Sequence, residues 1–144
     1  MALPTGSAII VFDTPVTALT TAVSIVSAGF SSTTITSVTS TAPLADAVLD
    51  VTMAVAPVAG DAFHLYRRDL NISGANDAMA PDANFKNTYV GSFPLDLVST
   101  QQFISLTDIP LTVDQEFYIE NDTLQATSGT TVLTITPKSY NTQA

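Results

Sequence analysis

The chain predicts an all-β fold: a single antiparallel β-sandwich, jelly-roll-like, of about eight strands. Three observations carry this expectation. Short runs rich in Val, Ile, Thr, Phe and Tyr alternate apolar with polar residues, the period-2 pattern of half-buried strands. Pro, Gly, Asn and Asp punctuate these runs at the spacing typical of sandwiches. No segment shows a convincing helical period.

Ser7 to Phe12 is β-branched at Ile9, Ile10 and Val11 and is closed by Asp13-Thr14-Pro15, which reads as a first strand and a turn. Val16 to Phe30 predicts one or two short strands in preference to a helix, because Thr17, Thr20, Thr21, Ser24 and Ser27 lower helix propensity. Ser31 to Ser40, SSTTITSVTS, fits an exposed edge strand or an extended contact loop, with Ile35 and Val38 as its apolar residues. Ala45 to Leu70 predicts a hairpin at the centre of the domain. Its first arm aligns Ala47, Leu49, Val51, Met53 and Val55 on one face, with Asp50 and Thr52 on the other. Pro57-Val58-Ala59-Gly60 stops that arm, Gly60 being free to take positive φ, and Phe63 and Leu65 then alternate against His64 and Tyr66.

Asp69 to Asn87 is the longest irregular stretch, a loop of the length that is commonly functional or ordered against something else. Thr88 to Leu97 sets Tyr89, Gly91, Phe93, Leu95 and Leu97 on one side, and Pro94, lacking an N–H, makes it either an edge strand or one whose ladder is broken there. Gln101 to Leu106 is the next strand, ended by a turn at Thr107-Asp108-Ile109-Pro110. Gln115 to Asn121 puts Phe117 and Ile119 inward and Glu116, Tyr118 and Glu120 outward. Thr131 to Thr136 matches them with Leu133 and Ile135, and Pro137 ends the last strand. The expected division is one domain over residues 1–144. N-terminal strands and a contact segment occupy 1–44, the sandwich core 45–137, and a polar tail that frays or lies across a neighbour 138–144.

Thirteen acidic residues face only Arg67, Arg68, Lys86 and Lys138, for a net charge of −9, which repels phosphate backbones and anionic lipid and argues against nucleic-acid or membrane partners. Charged residues make up only 12% of the chain, so much of the surface is uncharged, as suits repeated contact with neighbouring subunits. There is no cysteine, hence no thiol nucleophile or disulfide. No run approaches the roughly 18 apolar residues of a membrane span. The N-terminal apolar run lacks a basic flank, which argues against a secretory signal.

Chemistry-bearing patterns are sparse. His64 is the single histidine, set on the strand face opposite Phe63 and Leu65, and no nucleophile motif such as G-x-S-x-G accompanies it, so a structural or interface role outweighs a hydrolytic one. Asp69, Asn71, Asn76, Asp77 and Asp82 offer oxygens to calcium, but their spacing lacks the alternation of a calcium loop and suits turns instead. Arg67 and Arg68 project to opposite faces; one is placed to pair with an acid such as Asp50 and the other to reach a partner, or both pair locally. Asn71-Ile72-Ser73 and Asn121-Asp122-Thr123 match glycosylation sequons, a frequent chance match. No catalytic residue, metal or cofactor is expected.

From Ala45 onward the runs VTMAVAPVAGDAFHLYRRDLN, NDAMAPDANFKNTYVGSFPLD, FISLTDIPL and EFYIENDTLQATSGTTVLTITPKSY resemble small β-sandwich virion structural proteins of tailed bacteriophages. The resemblance covers roughly two-thirds of the chain and is one of strands and turns, without a catalytic signature. It implies a non-enzymatic cement or decoration protein, made in the bacterial host cytoplasm, that binds the outer capsid shell and stabilises subunit junctions. Its partners would be the major capsid protein and further copies of itself, a trimer being favoured. The alternative is a fibre, spike or tail-associated module that binds a host receptor or glycan. Candidate subunit contacts are Thr33, Thr34, Ile35, Arg67, Arg68, Asn76, Asp77, Phe85, Lys138 and Tyr140.

Overall fold

The computed structural model describes residues 8–31, 34–70, 77–86 and 88–142. They form nine strands and no helix: β1 (Ala8–Phe12), β2 (Val16–Thr20), β3 (Val38–Thr39), β4 (Leu44–Val51), β5 (Ala62–Asp69), β6 (Thr88–Pro94), β7 (Gln102–Pro110), β8 (Asp114–Asn121) and β9 (Val132–Thr142). Two antiparallel sheets face each other. The first has the order β1-β9-β4-β7, with β2 also on β9, and the second the order β3-β8-β5-β6.

The pairing is nested. β5 pairs with β6, β4 with β7, β3 with β8, and β1 and β2 together with β9. A long hairpin rolled up in this way is a jelly roll, with β1 and β2 acting as one interrupted strand and giving eight in all. The expected sandwich is therefore the observed one.

The core lies between the sheets, where alternate residues of every long strand meet. Leu49 and Val51 of β4, Phe63 and Leu65 of β5, Phe93 of β6, Phe117 and Ile119 of β8, and Leu133 and Ile135 of β9 are all fully buried. Ala18, Leu19, Ile25 and Val38 join the same cluster, so the core draws on the first forty-four residues as well as on 45–137. Gly91 of β6 faces β7 closely; a Cβ there would lie 2.9 Å from Leu106 Cδ1.

Several local expectations are corrected. β4 and β5 are not a hairpin: they belong to opposite sheets, and the segment between them crosses the sandwich, with Gly60 at φ 97°. Both strands bury one face in the same core, so their alternation is the same whether they lie side by side or across from each other. The true hairpin is β5–β6, and the long 70–87 stretch is its connection. Asp13-Thr14-Pro15 does not reverse the chain; β1 and β2 run in one direction along β9, and Asp13 N–H donates to Pro137 O. Thr107 and Asp108 form a bulge within β7, Asp108 at φ 58°, rather than a turn. Val90 is the extra residue of a bulge in β6, which packs Val90 on the core and turns Tyr89 to the opposite face. Val55 and Leu97 are exposed.

The last strand runs through Pro137 to Thr142, so residues 138–142 pair with β1 instead of forming a tail. Pro137 is tolerated mid-sheet because its carbonyl takes the Asp13 N–H while its nitrogen, on the same side, faces the exposed break between β1 and β2.

Candidate functional site

The outer face of the second sheet is where polar chemistry collects. Register puts His64 beside Ser92 on β6 and Glu120 on β8, and Tyr66 beside Tyr89 and Tyr118. These residues sit on the outward face, as the alternation requires, yet Tyr66, Tyr118 and Glu120 are buried. The chain's own segments roof them. Phe30, bridged to Glu120, packs its ring 5.5 Å from that of Tyr66. The 77–86 segment is fastened at both ends: Arg68 Nε donates to Ala78 O at 2.6 Å and its guanidinium faces Asp77, while Lys86 Nζ reaches Glu120 Oε1 at 2.6 Å.

Burial gives these groups their electrostatic character. Desolvation, then the hydrogen bond that Tyr66 donates to Glu120, push the Tyr66 hydroxyl up to about 12. Tyr118 is raised in the same way, by burial and by its bond to the Glu116 carboxylate. Arg68 is raised by its hydrogen bond to Tyr118 and by Glu116, and so stays a fixed cation.

Beside this roof lies a hydrogen-bonded line of four side chains. His64 Nε2 is 3.0 Å from Asp122 Oδ2, His64 Nδ1 is 2.7 Å from Ser92 Oγ, and Tyr89 Oη is 2.7 Å from Ser92 Oγ. The Asp122 carboxylate only accepts, so Nε2 is the donor of that contact, while the direction of the Nδ1–Ser92 and Ser92–Tyr89 contacts follows the ring's tautomer. The members match a serine-hydrolase relay. Ser92, however, lies inside the regular run of β6, not on the sharp turn that lifts a hydrolase nucleophile toward substrate. The exposed Tyr89 ring, 5.9 Å from His64, is the more accessible feature. Sequence reasoning placed His64 on the correct face but missed Ser92 and Asp122, which are 28 and 58 residues away from it.

The acidic connection performs turn and ion-pair chemistry. Asp82 accepts from the backbone N–H groups of Asn84 and Phe85, Asp69 pairs with Arg67 and accepts from Thr112, and Asp77 faces Arg68. Among the described residues no three His, Asp or Glu side chains are grouped to hold a metal. Asn71 lies outside the described residues. Asn121 is buried, its amide donating to Ile25 O and Gln125 O, so that sequon is closed to glycosylation.

The outer face of the first sheet is bare by comparison. Ile10, Phe12, Val48, Phe103 and Tyr140 are exposed there. Beyond Pro137, β1 and the end of β9 make a two-stranded ribbon in which Ile10 stands opposite Tyr140 and Phe12 opposite Lys138.

The expected contact residues fall into separate places. Thr33 and Asn76 lie outside the described residues. Thr34 is exposed and its carbonyl accepts from Thr20 N–H, while Ile35 packs on the core. Arg67 pairs with Asp69 and donates to Pro110 O; Asp50 is in the other sheet and accepts from Gln101. Arg68 and Asp77 meet, and Phe85 is exposed on the same segment. Lys138 is nearly inaccessible, clamped between Asp46 and Asp108, whose hydrogen bonds raise its pKa; the β7 bulge is what aims Asp108 at it. Tyr140 projects from the ribbon. All four basic side chains of the protein are thus engaged by its own carboxylates.

No family model, curated protein or solved structure matches this chain. Among the described residues there is no helix long and apolar enough to cross a membrane.

Proposed function

We propose that the protein is a non-enzymatic virion component of a tailed phage, of the cement or decoration type, that binds the outer capsid shell and reinforces subunit junctions. The observation that carries this reading is the bare outer face of the first sheet. Its exposed Ile10, Phe12, Val48, Phe103 and Tyr140 have the aromatic and aliphatic character of an interface, and the chain's cations are already spent internally. The resemblance of the strand-and-turn runs to phage structural proteins supports it. The jelly roll adds only an analogy, since viral capsid and lectin domains share that architecture with other functions. Many weakly bound copies stabilise a shell by mass action.

Cryo-electron microscopy of the particle encoded with this gene tests the proposal. Density for the sandwich on the shell lattice is the expected result, together with loss of heat resistance when the protein is stripped. Density confined to a fibre or tail overturns it.

One observation favours a second reading, a module that binds a host glycan or receptor. The exposed Tyr89 ring stands beside His64, Ser92 and Asp122, an aromatic platform flanked by hydrogen-bonding groups. Retention on host cells that is lost in Tyr89→Ala would select this reading.

A further inference from the structure

We propose that β1 is a pairing edge through which two copies of this chain join, antiparallel and about a two-fold axis, merging their first sheets into one continuous sheet. The two sheets have four edges. β6 carries Pro94 and the Val90 bulge, and β7 carries the Thr107–Asp108 bulge and ends in Pro110. β3 is two residues long, and the chain leading into it closes the side of β2, with Thr20 N–H donating to Thr34 O and Thr36 N–H to Ala18 O. Each is a device that keeps an edge from pairing with another chain. β1, AIIVF, has none of them: no proline, no charge and no bulge against β9.

Its side chains leave the same impression. Ile10 is 48% exposed, Val11 40% and Phe12 56%, and Tyr140 stands beside them on β9. An edge of β-branched and aromatic residues held out in water is unfavourable unless something covers it.

Charge and register identify the occupant. Neither strand of the ribbon carries a carboxylate over 8–12 or 138–142, and Lys138 is neutralised by Asp46 and Asp108. In a protein of net charge −9 whose cations are all paired, this is the edge along which two copies approach without opposing acids. Antiparallel pairing centred on Ile10 sets Ile10 against its own symmetry mate, Ile9 against Val11, and Ala8 against Phe12. A strand that complements itself in this way suits an isologous contact. On the outer face of the ribbon, Phe12 and Tyr140 flank Ile10 and add side-chain contact to the backbone ladder. This inference rests on the open edge of β1 and the apolar side chains beside it, and its test, the oligomeric state of the isolated chain, is separate from that of the capsid proposal.

Sedimentation of the full chain from micromolar to millimolar concentration, beside Ile10→Lys, tests it. The expected result is a monomer–dimer equilibrium, with the Ile10→Lys dissociation constant raised about tenfold or more at an unchanged circular dichroism spectrum. A monomer throughout, a trimer, or a dimer indifferent to the substitution overturns it. Amide hydrogen exchange on the unmodified protein gives an independent readout: protection of the Ile10 and Phe12 amides, which face away from β9, that rises with protein concentration is expected, and concentration-independent exchange there overturns the proposal even should the variant fail to fold.

Discussion

The two sheets share one core and differ in how their outer faces are finished. The outer face of the second is closed by the protein itself: Phe30 and the 77–86 segment cover Tyr66, Tyr118 and Glu120, and the buried polar atoms are joined in pairs. The outer face of the first is left open, with Ile10, Phe12, Phe103 and Tyr140 in water. Polar groups are buried where the chain can satisfy them internally, and apolar groups are exposed where another surface can cover them. That division ties stability to the closed face and leaves the apolar side chains of the other in water.

The sharpest way to break the comparison is to remove what both faces share. Phe117→Ala, at a fully buried site between the sheets, is expected to cost about 3–5 kcal/mol and to unfold both faces in a single denaturant transition. Glu120→Ala acts on the closed face alone. It leaves the Tyr66 hydroxyl and the Lys86 ammonium without their acceptor, and urea denaturation should show a loss of about 2–3 kcal/mol. Tyr66→Phe removes one bond of the same cluster, with an expected cost of about 1 kcal/mol.

The same residue gives the closed face a pH signature. The folded Tyr66 hydroxyl holds its proton to about 12, against an ordinary value of 10.0, so between those values the unfolded chain releases a proton that the folded chain keeps. The contribution is fully present below pH 10 and declines as pH rises toward 12. Stability measured across that range should fall less steeply in Tyr66→Phe, and Tyr118, raised in the same direction, accounts for part of the remaining slope. The smallest effect belongs to the open face: Phe103→Ser, at a side chain 67% exposed, should change the unfolding free energy of the monomer by less than about 0.5 kcal/mol. A large loss there would show that the face is not free in the isolated protein.

Strand identity was legible because alternation is a local property: Ala47, Leu49 and Val51 in β4, Phe63 and Leu65 in β5, and Phe117 and Ile119 in β8 all point inward as read. Partnership was not legible, because β4 and β5 show the same inward pattern whether they pair or oppose each other. Prolines misled for a related reason. Pro137 marks a place where a missing N–H is harmless, and that depends on the break between β1 and β2, more than a hundred residues earlier. At the candidate site the outward face of Tyr118 and Glu120 was readable, but their burial was not, since the roof comes from Phe30 and from 77–86. His64 was found alone because Ser92 and Asp122 become its neighbours only through strand register.

Nested pairing also sets an order in time. The β5–β6 pair closes the shortest loop, β4 with β7 and β3 with β8 close longer ones around it, and β1 with β9 closes the longest. Loop-closure entropy alone therefore predicts that the ribbon matures last, after the core to which β9 belongs is in place. An edge that exists only once folding is finished cannot recruit half-made chains, so the proposed pairing would admit completed copies and leave nascent ones out.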